Sequence, residues 1–314
     1  MVASGEERPF PLDLIPRIIM DVTVRLSPDR VAWRRQPAEP PEDAMPPISA
    51  SPGGRPPQTP PISAERHYAE IEASTDTLAR LVDGADLTRT VPTCPDWTLR
   101  QLATHVGRAH RWAAQIAATR SAEVIPFRQV PDGRIPDDPA QHAPWLRAGA
   151  ARVIEAVREA GNDPVWSFDG LRPAVFWGRR MAHETAVHRA DAELALGREA
   201  GFASDIAADA IDEWLGSLSG PVAGDQRLDA LPDGGVLHVH ATDEDLGEAG
   251  EWLVRREGSE LVVEHGHGKG DVALRGPAAR LLLVLLRRVP ADDPQVQVMG
   301  DAAVLTGWLG HTPF

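Results

Sequence analysis

The feature that most constrains this chain is an ionisable pair, Glu184 and His188, placed where a helix should be apolar. The surrounding segment, MAHETAVHRADAEL (residues 181–194), has helical periodicity. One face of that helix carries Trp177, Met181, Glu184, His188 and Ala195. A carboxylate among apolar side chains costs several kcal/mol unless its charge is compensated. A divalent metal ion would compensate it, while a Glu–His hydrogen bond on a solvated face is the alternative interpretation.

A third possible ligand, His105, lies on a second predicted helix over residues 98–120. That segment opens with a Thr-x-x-Gln capping-box spacing, and its apolar residues recur every three or four positions. His105 lies at the margin of the apolar stripe, where a histidine is more often a hydrogen-bonded core residue than a ligand. Together with Glu184 and His188 it would form a His/Glu/His set with an exchangeable position, which is the pattern of catalytic zinc.

Two segments of the chain resemble the paired signatures of the mycothiol-dependent maleylpyruvate isomerase family. They are VPTCPDWTLRQLATHVGRAHRWA (residues 91–113) and WGRRMAHETAVHRADAELALG (residues 177–197). The stretch from LHVHATDE to GPAARLLLVLLRR resembles that family's C-terminal domain, so the resemblance covers the chain from about Ile62 to its end. It implies an α+β protein, in which an N-terminal DinB-like four-helix bundle is followed by a smaller sterol-carrier-like α/β domain.

The same resemblance implies a metal and a thiol cofactor. It implies that His105, Glu184 and His188 hold Zn²⁺, or another divalent metal, and that the sulfur of mycothiol binds this ion. The implied reaction is thiolate addition to an electrophilic substrate, here the cis–trans isomerisation of maleylpyruvate to fumarylpyruvate. Two alternatives stay open: a mycothiol S-transferase acting on other electrophiles, and a noncatalytic zinc-bundle protein that binds a partner.

An enolate and the substrate carboxylates would need cationic donors, for which arginine is suited. The important C-terminal arginine of the family aligns with Arg288, so the resemblance implies a catalytic role there. This chain has Arg287-Arg288 where the family usually has Gly-Arg, and Arg275 is therefore the reserve candidate.

Proline density and hydrophobic periodicity divide the chain into three regions. Fourteen of the 29 prolines precede residue 62, so residues 1–61 are predicted to be a disordered, Pro-rich extension. Residues 62–220 are predicted to form the metal-binding four-helix bundle, with a further helix at residues 204–220 leading to the second domain. Residues 221–314 are predicted to form the C-terminal α+β domain, where short strands flank one apolar helix that opens at Pro277.

Composition restricts the partners and the compartment. The net charge of −14 argues against nucleic acid as a partner, and no apolar run is long enough to cross a membrane. Cys94 is the only cysteine, which excludes an internal disulfide framework and favours a reducing, cytoplasmic location. The 32 Lys and Arg residues include one lysine, Lys269, a bias typical of GC-rich actinobacterial genomes. We expect a monomer or weak homodimer that acts on a small-molecule electrophile.

Three other features are interpreted as structural. His238 and His240 share one face of a predicted strand, but no third ligand neighbours them in sequence, so packing is favoured over metal binding. HGHGKG (residues 265–270) is interpreted as a Gly-rich turn between strands. Cys94 is interpreted as a buried small residue rather than a nucleophile.

Overall fold

The computed structural model describes residues 62–221 and 226–312, so the prediction for residues 1–61 lies outside the described residues. A helical bundle comes first and a sheet with its own helices follows, which confirms the predicted α+β class. In chain order the helices are α1 (Ala64–Val82), α2 (Leu99–Thr119), α3 (His142–Ala160), α4 (Val175–Ala195), α5 (Ser204–Leu218), α6 (Ala278–Leu285) and α7 (Ala302–His311). No helix of the described part of the chain is long and apolar enough to cross a membrane.

Helices α1 to α4 form the bundle, and the start of α2 follows the predicted capping box. The Thr98 amide donates to Gln101 Oε1 at 2.8 Å, and the Gln101 amide donates to Thr98 Oγ1 at 3.3 Å. Glycine allows α2 and α3 to approach closely, since a Cβ on Gly107 would lie 2.1 Å from the Trp145 ring. This close packing fixes the position of the His105 turn, which directly precedes Gly107.

Helix α4 is buried on nearly every side. The predicted apolar face is buried, and so are polar residues on other faces, such as His183 and Asp191. The reason is that α4 contacts the bundle on one side while Val187 and Ala190 pack with residues of the C-terminal half. A single buried face was therefore too narrow a prediction for this helix.

Two short hairpins lie between helices of the bundle, one before the second helix and one before the fourth. The first pairs β1 (Thr90–Val91) with β2 (Cys94–Thr98), and the second pairs β3 (Pro164–Ser167) with β4 (Gly170–Pro173). Both hairpins contribute aromatic side chains to the region around α2 and α4. Their strands are too short to show a clear alternation of polar and apolar residues in the sequence.

The C-terminal half is built on a six-stranded sheet in the order β10-β9-β6-β7-β8-β5. Its strands are β5 (Gly220–Pro221), β6 (Val236–Ala241), β7 (Glu251–Glu257), β8 (Glu260–His265), β9 (Val272–Gly276) and β10 (Gln297–Gly300). Strands β6 and β9 are parallel, and the other neighbouring strands are antiparallel. These strands flank helix α6, which begins directly after Pro277, as the sequence predicted, whereas helix α7 was not predicted.

One face of the sheet packs against helices to form the C-terminal core. Leu237 and Val239 of β6 point into this core, together with Trp252 of β7. Ile211 and Trp214 of α5 pack into the same core, although α5 precedes the predicted domain boundary at residues 220/221. The other face of β6 carries His238 and His240, because side chains alternate along a strand.

Candidate metal centre

Three ionisable side chains meet where α2 and α4 pack together; we call His105, Glu184 and His188 the bundle trio. Nε2 of His105 lies 2.7 Å from Glu184 Oε1, and Nε2 of His188 lies 3.2 Å from the same oxygen. The three donor atoms lie within 4.8 Å of one another, and the residues are 5%, 1% and 1% exposed. Two imidazole nitrogens and one carboxylate oxygen, converging and shielded from water, are a donor set suited to Zn²⁺.

Burial and charge shift the three pKa values in different directions. Burial lowers the pKa of His105, which keeps that imidazole neutral. Burial opposes protonation of His188 as well, but the charge of Glu184 and the hydrogen bond to Asp191 raise its pKa to about 9. The pKa of Glu184 lies well below its ordinary value, because its interactions with His188 and His105 outweigh burial. Binding of a divalent ion would therefore release a proton from His188.

Asp191 fixes the ring of His188 from behind. Its Oδ2 lies 2.9 Å from His188 Nδ1, while its Oδ1 accepts a hydrogen bond of 2.7 Å from Thr93 Oγ1. Because Nδ1 is engaged by Asp191, Nε2 on the other edge of the ring faces Glu184 and His105. Arg288 completes this arrangement, with Nε 3.1 Å from Asp191 Oδ1.

Arg180 fixes another member of the bundle trio, Glu184, in a similar way. Its Nη2 donates to Glu184 Oε2 at 2.6 Å, and its Nη1 donates to Glu213 Oε2 at 2.5 Å. The carboxylate therefore presents Oε1 to the histidines while Oε2 is held by a guanidinium. The charges of Glu213 and Glu184 more than offset burial and raise the pKa of Arg180, so it stays a cation.

Aromatic rings border the bundle trio. The ring centroid of Trp97 lies 4.9 Å from that of His105 and 6.1 Å from that of His188, and Phe127 lies 5.9 Å from His105. Further rings continue from Phe127 as a connected cluster. They belong to Trp112, Trp166, Phe168, Phe176 and Trp177. These apolar walls lower the local dielectric and strengthen electrostatic interactions at the trio.

Guanidinium groups gather at one edge of this aromatic border. Arg108 lies one turn after His105, with its guanidinium carbon 5.6 Å from the Phe127 ring centroid and Nε donating to Gly133 O at 2.7 Å. Arg128 and Arg134 directly follow the two residues that Arg108 contacts, Phe127 and Gly133, and after burial their charges lower the pKa of Arg108. We call Arg108, Arg128 and Arg134 the arginine rim.

The two predicted catalytic arginines, Arg288 and Arg275, lie in different places, one behind His188 and the other on the C-terminal sheet. Helix α6 ends at Leu285, and Arg287 has a left-handed φ of 57°, so Arg288 turns back toward α4. Arg288 is buried against Asp191 and donates to Leu286 O at 2.8 Å, which places it behind His188. Arg275 lies on β9 as the register partner of His240, so it faces the histidines of β6 instead.

Two further residues near the trio, His110 and Cys94, are buried and have structural rather than chemical roles. His110 lies 2.7 Å from Thr185 Oγ1 through its Nε2, on another side of α2 from His105. Cys94 is buried, and burial together with the charge of Asp191 raises the pKa of its thiol to about 11. A thiol with that pKa is a poor nucleophile near neutral pH.

Sequence reasoning missed Asp191, Arg180 and the aromatic border. A signal existed for the first two, because Asp191 follows His188 by three residues and Arg180 precedes Glu184 by four, which are helix-neighbour spacings. Phe127 gave no such signal, since it reaches His105 from a short 3₁₀ turn in a loop.

Comparison with known proteins places the chain in a family. Residues 68–193 match the model for the mycothiol maleylpyruvate isomerase N-terminal domain, and residues 205–307 match the model for the MDMPI C-terminal domain. The chain therefore belongs to the mycothiol-dependent maleylpyruvate isomerase family, a family of enzymes.

Among solved structures, crystal structures of the mycothiol-dependent maleylpyruvate isomerase and of a mutant of it are similar to this chain. Each is 17% identical, covers 76% of this chain and 93% of its own, and has a TM-score of 0.48. A UbiJ-SCP2 ubiquinone synthesis protein is 19% identical over 32% of this chain and 84% of its own, with a TM-score of 0.23. No curated protein matches the chain.

Proposed function

We propose that this chain is a zinc- and mycothiol-dependent enzyme that isomerises maleylpyruvate to fumarylpyruvate by thiol addition to the substrate double bond. The observation that carries the proposal is the buried bundle trio, in which two imidazoles and one carboxylate converge from two helices. Membership of the isomerase family supports the choice of thiol and substrate. The enzyme would act in the cytoplasm, where low-molecular-weight thiols are kept reduced.

In this proposal His105, Glu184 and His188 hold the metal ion. A bound zinc ion supplies one property, which is to lower the pKa of a thiol so that the thiolate is available near neutral pH. Three protein ligands leave room in the coordination shell for an exogenous group, as in other catalytic zinc sites. The negative charge of Glu184 offsets part of the metal charge.

Arg180 and Asp191 act as positioning residues for the ligands. The hydrogen bond from Arg180 restrains Glu184, and the contact of His188 with Asp191 restrains the imidazole. Partners that orient metal ligands in this way typically change metal affinity by 10–100-fold when they are removed. Arg288 reaches the trio through Asp191, so we propose that it supports His188 by stabilising the Asp191 charge.

The arginine rim is the proposed binding region for the substrate carboxylates. Maleylpyruvate is a dicarboxylate, and guanidinium groups bind carboxylates by paired, charge-assisted hydrogen bonds. Arg108 lies one helical turn from His105 and is half-buried, so its charge is less screened than that of an exposed arginine. It therefore replaces Arg288 as our candidate for direct contact with the substrate.

The test compares two reactions of zinc-loaded protein with mycothiol. In isomerisation the thiol adds to the double bond and is expelled after rotation, so fumarylpyruvate forms and thiol is not consumed. In S-transfer the thiol stays on the product, so its concentration falls with turnover. We expect catalytic formation of fumarylpyruvate at constant thiol concentration, lost in His188→Ala. Stoichiometric thiol loss with a generic electrophile would instead establish the transferase, and no turnover of either kind would favour a noncatalytic binding protein.

A further inference from the structure

A second group of histidines meets a carboxylate on the C-terminal sheet; we call His238, His240, Glu251 and His267 the sheet cluster. His238 and His240 lie two residues apart on β6, on the face opposite the core. Glu251 is the register partner of His240 on the neighbouring strand β7, so the two side chains share that face. His267 comes from the loop between β8 and β9.

All three imidazoles point to one carboxylate oxygen. Glu251 Oε2 lies 2.7 Å from His267 Nδ1, 2.9 Å from His238 Nε2 and 3.6 Å from His240 Nδ1. One ligand atom from each of the four residues lies within 4.8 Å of the others. The ring centroids of the histidines are 5.3 to 5.9 Å apart. The sequence placed His238 and His240 on one strand face, but Glu251 and His267 were not predicted to join them, because both are distant from His238 along the chain.

Glycines in the β8–β9 loop hold His267 over the sheet. A Cβ on Gly268 would lie 2.7 Å from Leu253 Cδ1, and a Cβ on Gly270 would lie 3.0 Å from the His238 amide nitrogen. Gly266 has a φ of +144°, a conformation that residues with side chains rarely adopt. The loop thus lies directly on the outer face of β6 and β7, with His267 above the other ligands.

Charged side chains on β7 and β9 border the sheet cluster. Glu251 is the one carboxylate of the cluster, and Arg275 on β9 adds a positive charge beside His240. Arg255, on the same face of β7, is paired with Glu264 at 2.8 Å. The carboxylate of Glu251 therefore faces the three imidazoles, and its Oε2 meets no guanidinium in the hydrogen bonds of the described residues. Neutral imidazoles present lone pairs, which is the form that binds metal ions.

We propose that the sheet cluster is a second metal site, binding one first-row divalent transition metal ion, with zinc as the best match. The ligand atoms are Nε2 of His238, Nδ1 of His240, Nδ1 of His267 and a carboxylate oxygen of Glu251. A tetrahedral zinc ion with bonds of about 2.0–2.1 Å holds its donors about 3.4 Å apart. The carboxylate oxygen would move slightly away from His267 and His238, now 2.7 and 2.9 Å away, and the remaining donors already lie within 4.8 Å of one another. Four protein ligands close the coordination shell, so this ion fastens the β8–β9 loop to the sheet.

A third group, His67, His183 and Asp209, does not support a comparable proposal. Its carboxylate is already bound by Arg179, with Nε 3.1 Å from Asp209 Oδ2. His67 and His183 contact that same oxygen, so a divalent cation held there would lie against the guanidinium charge, whereas in the bundle trio Arg180 contacts the other carboxylate oxygen, Glu184 Oε2. The sheet cluster has no such contact in its hydrogen bonds among the described residues, since Glu251 Oε2 meets histidines alone.

Zinc stoichiometry of the full chain tests the proposal. The protein is stripped with a chelator, titrated with zinc by calorimetry, and analysed for metal after desalting. We expect two zinc ions per parent chain, one in His267→Ala, one in His188→Ala and none in the double variant. Glu251→Gln, which keeps the side-chain shape, should weaken the sheet site more than about a hundredfold, beyond the effect of losing an outer partner. The control His265→Ala removes a half-exposed histidine from the adjacent strand and should keep both ions.

The single lysine of the chain provides an independent readout. Lys269 is exposed and lies in the loop that His267 would fasten, so a lysine-specific protease can cut the chain only there. Zinc should slow this cleavage at least tenfold in the parent and in His188→Ala, and should have no effect in His267→Ala.

The proposal is overturned if the parent binds only the zinc that His188→Ala loses, or if His267→Ala and Glu251→Gln keep two ions. It is also overturned if zinc leaves cleavage at Lys269 unchanged. A different result would overturn only the proposed bundle site. In that result His267→Ala loses one zinc ion, whereas His188→Ala loses none.

Discussion

The bundle trio and the sheet cluster use the same kinds of side chain in very different surroundings. In the bundle trio every residue is at most 5% exposed, and Asp191 and Arg180 form hydrogen bonds to two of the three from behind. In the sheet cluster the His267 side chain is 74% exposed and comes from a loop. Buried partners therefore hold the imidazoles and the carboxylate in place in the bundle trio, whereas a loop completes the set in the sheet cluster.

The two groups also differ in the number of ligands. With three protein ligands the bundle trio would leave a coordination position for an exogenous thiol, and aromatic rings border the trio. Four residues on the sheet form a complete shell with no such position. We therefore assign reaction chemistry to the bundle and a structural role to the sheet, and each prediction below tests this division.

The largest expected effect is the loss of turnover in His188→Ala. Loss of the metal removes several kcal/mol of stabilisation, so kcat/KM should fall at least about a thousandfold. Steady-state assays with mycothiol and metal analysis measure this directly. His110→Gln on α2 is the matched control, since His110 contacts Thr185 rather than the trio, and it should keep both metal and turnover. Equal zinc content in His188→Ala and in the parent would contradict the assignment.

Replacing Arg108 with alanine should have the next largest effect. Removal of one preorganised cationic donor typically costs about a hundredfold in rate, so kcat/KM for a dicarboxylate substrate should fall by about that factor. Arg108→Lys should recover only part of this loss, because a point charge cannot bind a carboxylate in the bidentate way. Arg147→Ala, a half-exposed arginine paired with Asp76, is the control. An unchanged kcat/KM in Arg108→Ala would remove the arginine rim from the substrate site.

Asp191→Asn and Arg288→Ala distinguish positioning from direct substrate contact. If Arg288 acts through Asp191, both variants should lower the zinc affinity of the bundle site, Asp191→Asn by about 10–100-fold and Arg288→Ala by less. Zinc affinity of the sheet cluster should stay the same in both. A large fall in turnover of Arg288→Ala with unchanged zinc affinity would show that Arg288 contacts the substrate after all.

The smallest expected effect concerns acid stability. Burial raises the pKa of Glu213, but the charges of His183 and Arg180 more than offset it and lower the pKa from 4.5 to about 2. A depressed folded-state pKa contributes stability that is present above pH 4.5 and lost as the pH falls toward 2, here roughly 3 kcal/mol at pH 7. Denaturant unfolding at several pH values should show this slope in the parent and a flatter one in Glu213→Gln. Parallel curves for the two proteins would contradict it.

The sequence predicted which residues the structure brings together in the bundle trio, because helical spacing carries that information. Glu184 and His188 are one turn apart, and His105 lies on a helix whose cap and apolar stripe were both visible. The role of Arg288 was harder to predict, since its contact with Asp191 spans 97 positions. The sheet cluster was not predicted for the same reason. The sequence of β6 placed two histidines on one face, but it could not show which strand or loop would lie against them.

The most direct test of the central claim uses cobalt in place of zinc. Cobalt(II) prefers similar ligands and is visible by absorption, and a thiolate bound to it gives a charge-transfer band. Mycothiol added to the cobalt-loaded parent should produce this band, and the band should persist in His267→Ala and be absent in His188→Ala. A parent protein that binds cobalt but shows no such band with mycothiol, or a band that survives in His188→Ala, would contradict a thiol-binding metal centre at the bundle trio.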